Sequence, residues 1–534
     1  MLKKITLLPL LAASLSIYAQ DGKKDIGFLK GSFESNNQIY QKDSATNAIV
    51  PQDKVGSNNF LKLDYSYKNF TAGVQFESYL PALVGYPGNM DGSKLINKYF
   101  SYRTEKLAVT VGDFYEQFGS GLVFRAFENR QIGINNALQG VNVQFNPTPF
   151  LQTKIVYGKQ RRFFDFSDGV VRGADVVLNW TKIGKKPSKS DFATGFSYVS
   201  RFDPYTGANP AIKPTVDAIS ARANFSSGNF FMDVEHVAKK SDAHLVNNFY
   251  TMKGKALLVN AGYSFKNVGV NFNFRRLENM DFRTDRNAVQ GEYLVNFIPA
   301  ITKQHHYNLS NIYVYNAQAL AEIGGQVDVD INFPKKSAIG GKYGASLSIN
   351  YSQYNNLDIT STNADGFKSN FLAFGKQKYF SDMSINFKKR WSTLLTTTFE
   401  VQRVFYNKSV IEGGLYDNIE STIITGDVLY KFAKKKSLRF ELQHLSTQED
   451  NKNWAAFLAE LGYAPHWTFF VQDLYNYGGA KKIHYYNAGF SYTYSSHRLL
   501  ISYGRQRAGL ICTGGVCRLV PASTGLTVTL SSSF

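Results

Sequence analysis

The chain has 534 residues, 43% hydrophobic and 19% charged, and its aromatic fraction of 15% includes 33 Tyr and 42 Phe. This balance excludes disorder and coiled coil, and a mean hydropathy of −0.26, with no apolar run of about 18–20 residues past the N-terminus, excludes a helical membrane protein. The 60 basic against 41 acidic residues give a formal charge of +19, which suits nucleic acid, an anionic membrane surface or acidic substrates.

The N-terminus decides among these. Lys3 and Lys4 form a charged start, Ile5 to Ile17 is apolar, and Tyr18-Ala19-Gln20 offers a cleavage site after Ala19. The pattern predicts a signal peptide over 1–19. Export removes nucleic acid as a partner, and cleavage leaves a charge of +17 on residues 20–534. The first strand-like segment, Gly27 to Phe33, follows at once. No sizeable plug domain precedes it, which argues against a TonB-dependent receptor.

From there the chain repeats one rhythm. Segments of about 9–14 residues alternate apolar and polar, the period of a strand with two different faces. Val268, Val270, Phe272 and Phe274 oppose Asn271, Asn273 and Arg275. Leu347, Ile349 and Tyr351 oppose Ser348 and Asn350. Met383, Ile385 and Phe387 oppose Ser384 and Asn386, and Leu438, Phe440 and Leu442 oppose Arg439 and Glu441. Every second gap is very short, as at Lys68-Asn69, Gly228-Asn229 and Lys266-Asn267. The intervening gaps are long and polar: 36–57, 80–95, 202–215, 282–317, 359–375, 408–417 and 510–522. Short periplasmic turns and long extracellular loops predict an all-β fold, a single large antiparallel transmembrane β-barrel of about 24 strands, within about 20 to 26. Closure pairs every backbone polar group, as hydrocarbon demands.

Residues 112–140 break the rhythm. Gly119-Ser120-Gly121 permits a sharp bend, and Glu116, Arg125, Glu128 and Arg130 crowd together. The expectation is a segment folded into the lumen. Either its charges line a constriction and set a transverse field, or they pair with wall charges and the segment is a structural plug. Next come Lys159, Arg161 and Arg162, echoed near the C-terminus by Arg505, Arg507 and Arg518. All six are expected at the long-loop rim, as a solvated basic edge or as a surface for anionic solutes and lipopolysaccharide phosphates. Lys182, Lys185, Lys186 and Lys189 read as a solubilising turn at the other rim. Polar lumen positions by parity include Arg222, Asn224, Asp233, Glu235, Lys388 and Glu400.

Loop 282–317 carries Phe282, Tyr293, Phe297, Tyr307, Tyr313 and Tyr315 with His305-His306. It is expected to pack on itself or fold in as a plug, with a sugar-stacking platform as the alternative. Adjacent histidines on an extended chain point apart, so no metal site is expected. Cys512 and Cys517, in CTGGVC, have a spacer short and glycine-rich enough to close a disulfide loop in an oxidising compartment, or stand as free thiols. Leu526, Val528 and Leu530 share one face of the last segment, and Phe534 is terminal. A final alternating strand ending in an aromatic resembles the signal read by the barrel-insertion machinery.

YEQFGSGLVFRAFENRQIGINNALQGV, together with GRQRAGLICTGGVCRLVPAS, resembles a family of uncharacterised porin-like outer-membrane β-barrel proteins of Bacteroidetes. The likeness extends over most of the chain. It implies a barrel in the cell outer membrane, in contact with its lipid and lipopolysaccharide, and carries over no substrate or catalytic residue.

Two functions are expected from these features. The first is a porin-like channel for small hydrophilic solutes, biased towards anions by the basic charge. The second is a plugged barrel acting as a scaffold or interaction subunit of an envelope secretion or polysaccharide-export complex, with envelope proteins docked on its rim. Gly119-Ser120-Gly121 is not a nucleophile elbow, and nucleotide and EF-hand motifs are missing. Neither an enzyme nor a cofactor is expected.

Overall fold

The computed structural model describes residues 26–86, 90–184, 188–288, 292–363, 365–513 and 516–534. Residues 1–19, expected to be a signal peptide, lie outside the described residues, as do Lys185 and Lys186. From Phe28–Tyr40 to Ser523–Ser533, 24 strands form one antiparallel sheet. Its first and last strands pair from Ser32 opposite Ser533 to Tyr40 opposite Gly525, so the sheet closes on itself and has no free edge. The fold is a closed transmembrane-type β-barrel.

Alternation sorts the two faces. On Val268–Glu278, Phe272 is outward and 43% exposed, whereas Arg275 points into the lumen and is 1% exposed. Tyr351, Met383, Phe440 and Leu442 are likewise exposed on the outer face. An apolar belt running round the whole wall exceeds what a soluble surface tolerates; here it faces lipid. Aromatic side chains cluster near the short-turn rim: Phe70 with Tyr102 (ring centroids 4.9 Å apart), Tyr263 with Phe265 (4.5 Å) and Trp467 with Tyr492 (4.6 Å). Such amphipathic rings favour the lipid–water interface.

One predicted loop is corrected. Residues 359–375 are not a loop; Ala345–Asn363 and Gly366–Arg390 run past the barrel as a protruding hairpin. Beyond the lipid nothing demands strict alternation, so these strand ends mix polar residues with Phe371, Leu372 and Phe374 and read as a loop.

The chain terminus seals the seam. The Gly31 and Phe534 backbones exchange two hydrogen bonds, at 2.8 and 2.9 Å, and the Phe534 ring lies over Gly31. A Cβ at Gly31 would stand 2.3 Å from that ring, so only glycine admits it. Gly31→Val is expected to displace the ring and cost about 1–3 kcal/mol. The measure is the fraction of barrel resisting unfolding in SDS at intermediate temperature; an unchanged fraction would show that the seam does not depend on this contact.

Candidate functional site

Two segments enter the lumen from the long-loop rim. The first joins the strands Leu107–Phe114 and Leu138–Thr148. It folds as two small hairpins, Glu116–Phe118 with Phe124–Ala126 and Glu128–Asn129 with Ile134–Asn135. The bend between the first pair needs glycine. Gly119 has φ +52°, and a Cβ there would press on the Glu235 carboxylate at 2.9 Å. That carboxylate instead accepts the Ser120 N–H at 2.9 Å and the Ser220 hydroxyl at 2.7 Å, pinning the bend to the wall. The second segment, 279–320, joins Val268–Glu278 to Ala321–Phe333.

Together they fill the outer part of the lumen with two apolar cores. Phe118, Val123 and Phe124 of the first segment and Phe282 and Val295 of the second pack against inward wall residues such as Val156, Val199, Val237 and Leu277. Leu309, Tyr313 and Tyr315 then pack against Tyr354, Phe380, Tyr406 and Trp454 on another arc of the wall. Phe118, Val123 and Tyr315 are fully shielded from solvent. Towards the short-turn rim the lining turns polar. A cavity of about 330 Å³ there is bordered by Lys62, Tyr99, Arg103, Thr110, Asn142 and Gln144.

Glu116, Arg125, Glu128 and Arg130 do not ring an opening. Glu116 accepts from Lys154 Nζ at 2.7 Å and Gln144 Nε2 at 2.5 Å. Burial works against its charge, but the bonds from Lys154 and the Gln117 N–H outweigh it and hold its pKa below the usual value. Arg130 bonds Glu128 at 2.9 Å and Glu34 of the first strand at 3.0 Å, and Gln75 donates to Glu128 at 2.8 Å. Among the described residues Arg125 has no carboxylate partner; it stacks on Phe297, 3.9 Å from the ring centroid.

The six basic residues expected at the rim are dispersed, and a continuous solvated basic edge is not what they form. Lys159 is exposed. Arg161 is 3% exposed and bonds Glu77 at 2.9 Å, because a bulge in its strand turns it inward. Arg162 bonds Glu292 of the second segment at 2.7 Å, and Arg505 bonds Asp43 at 2.5 Å. Arg518 stacks on Tyr86 at 3.9 Å, and Arg507 lines a cavity. Cys512 and Cys517 form a disulfide that closes the hairpin Gly509–Thr513 with Val516–Val520. Leu526, Val528 and Leu530 lie on one face of the last strand, whose terminal Phe534 closes the seam.

The buried charge clusters against the second segment lay outside the sequence expectations. Asp242, in the loop joining Phe230–Lys239 to Gly254–Ser264, is bound by Lys239 at 2.9 Å and by Arg201, all three shielded from solvent. Lys239 also donates to the Asp281 carbonyl at 2.5 Å, and Arg286 bonds Asp203 at 2.8 Å. Burial alone would neutralise Asp242, but Lys239 and Arg201 hold its pKa down to about 2. On the opposite arc, His305 Nε2 is 2.6 Å from Asp382, its Nδ1 is 3.5 Å from Glu400, and Lys303 is 3.6 Å from Glu400. The signal was the charge density of DFRTDR at 281–286, matched by charges at strand ends in SRFD and KKSD.

No curated protein sequence matches the chain. Among solved structures it is similar to the translocation pore of the P pilus usher PapC (10% identity, 95% of this chain and 99% of that one, TM-score 0.45). It is also similar to the ferric enterobactin receptor PfeA of Pseudomonas aeruginosa (11%, 96% and 82%, 0.43) and to OccAB3 of Acinetobacter baumannii (9%, 95% and 99%, 0.37). The chain belongs, over residues 1–534, to the family of unknown function DUF6029.

Proposed function

We propose that the protein is an outer-membrane channel for small hydrophilic solutes that rests closed, its lumen stoppered by its own loops. The observation that carries this reading is the change of lining along the lumen. A polar cavity opens towards one rim, and an apolar core built from residues 115–137 and 279–320 fills the other. The stopper is a pair of loops and not an inserted wall element, so it can move while the barrel stays closed in hydrogen bonds. Arg125, Arg507 and Arg518, which have no carboxylate partners among the described residues, give the passage a preference for anions. Lipopolysaccharide around the long-loop rim and recognition of the last strand by the insertion machinery complete the proposal, and no catalysis is assigned.

A second reading has its own support. The stopper is held by buried ion pairs, including Arg286–Asp203 at 2.8 Å, as a permanent plug in a scaffold subunit would be. Planar-bilayer recording separates the two. The channel reading expects brief openings of the intact protein. It also expects a large steady conductance when residues 283–316 are replaced by a short Gly-Ser bridge. Steady conductance from the bridged variant with no openings of the intact protein between acid and alkaline pH favours the scaffold. A silent bridged barrel would show that this loop is not the stopper.

A further inference from the structure

Above the second segment lies a cavity of about 330 Å³, roofed by the disulfide-closed hairpin and floored by residues 302–315. Its volume matches a small polar ligand. Thr302, Gln304, Asn308, Ser310 and Asn311 make the lining hydrophilic, and Tyr313 and Tyr315 add aromatic surface.

Arg507 sets this cavity apart. Most lumen arginines meet a carboxylate: Arg130, Arg161, Arg201, Arg275 and Arg439 all do. Among the described residues the Arg507 guanidinium has only carbonyl partners, Ala508 O and Asn311 O, both at 3.2 Å. Burial lowers its pKa from the ordinary arginine value, and the more distant Tyr313, Tyr485, Glu412 and Asp450 only partly offset it. A second group is also left open. Ser310 is 4% exposed, and its hydroxyl has no hydrogen-bond partner among the described residues. A half-buried cation without a carboxylate partner and a buried hydroxyl left open, both bordering one cavity, are groups that a ligand would satisfy.

The neighbouring charges select the ligand. Asp382 also lines the cavity, already engaged by His305 at 2.6 Å and Gln402 at 3.0 Å. Lys303 is committed to Ser384 at 2.9 Å and to Glu400. One cation is therefore left over, next to a carboxylate that repels further negative charge. A monoanion fits this balance and a phosphate dianion does not.

We propose that the cavity binds a small hydroxylated carboxylate of the sugar-acid class, its carboxylate paired with Arg507 and a hydroxyl satisfied by Ser310. This deepens the channel reading and rests on it, because it names the solute class the loops would sense.

The test is calorimetric titration of the purified barrel in detergent with D-glucuronate, D-galacturonate and D-gluconate. Glucose and inorganic phosphate serve as comparisons. The expected result is millimolar or tighter binding of at least one sugar acid, weaker binding of glucose and phosphate, and a loss of roughly tenfold or more in Arg507→Gln. Arg505→Gln, whose guanidinium is paired with Asp43, should bind as the parent does. Wild-type affinity in Arg507→Gln, phosphate binding tighter than sugar-acid binding, or no binding of any sugar acid would each overturn the proposal. Absent binding with bilayer openings intact overturns this site alone. Binding without any opening overturns the channel and leaves the site standing.

Discussion

Asp242→Ala is expected to loosen the second segment on its arc of the wall, by freeing the Lys239 that holds the Asp281 carbonyl, while leaving the barrel closed. The carboxylate is bound by Lys239 and Arg201, and all three side chains are shielded from solvent. Deleting it strands two buried cations. Arg201 keeps Asp203 at 3.1 Å and Lys239 keeps the Asp281 carbonyl, so compensation is partial. Breaking a buried pair by removing one partner costs about 3–5 kcal/mol, a large share of what holds any one loop. Arg283 and Arg286, each under a tenth exposed, would then reach solvent often enough for trypsin to cut after them. The readout is limited proteolysis of the folded protein, with heat-dependent gel mobility as the check that the barrel survives. Asp242→Asn keeps one acceptor and should be intermediate. Equal resistance of Asp242→Ala and the parent to trypsin would show that this cluster does not hold the loop.

The same residues show why the barrel was legible in the sequence and its stopper was not. Lipid imposes one rule on every strand, so Val268 to Arg275 and Leu438 to Gln443 declare their outward faces by simple alternation. Antiparallel closure then makes the strand number a matter of counting gaps. The stopper obeys no such period. Glu116 meets Lys154 across 38 residues, Arg161 meets Glu77 across 84, and Arg286 meets Asp203 across 83. These pairings follow from where the loops lie in three dimensions, and no local spacing encodes them. The crowding of charge and glycine in 112–140 marked a segment with a special place. Which carboxylate each arginine would take could not be read from it. Lys159 and Arg161, with Arg505 and Arg507, illustrate the converse: a shared YGxQR pattern placed them alike in sequence, yet a bulge at Lys159/Arg161 sends Arg161 inward.

Alkaline pH is expected to open the channel, through His305. Its Nε2 lies 2.6 Å from Asp382 and its Nδ1 faces Glu400, on the strands Gly366–Arg390 and Leu395–Asn407. Burial disfavours the imidazolium, but the bonds to Asp382 and Glu400 outweigh it and raise the pKa above the usual 6.5. A group with a raised folded-state pKa stabilises fully below its unfolded value, and that contribution is lost as pH rises through the folded one. The hold of residues 302–315 on this arc should therefore weaken above neutrality. His244, beside Lys239 on the other arc, works in the opposite sense. Burial, reinforced by Lys239, lowers its pKa to about 4, and its ring nitrogens have no hydrogen-bond partners among the described residues. It is neutral when folded and must be charged against its surroundings as pH falls below 6.5, at a cost that approaches about 3 kcal/mol near pH 4. The two histidines thus bracket a closed state that is firmest near neutral pH. Opening frequency in planar bilayers should rise several-fold from pH 7 to 9, and His305→Gln should abolish that rise while leaving any acid-side opening in place. A flat alkaline profile in the parent, or a rise that persists in His305→Gln, would remove His305 from control of the gate.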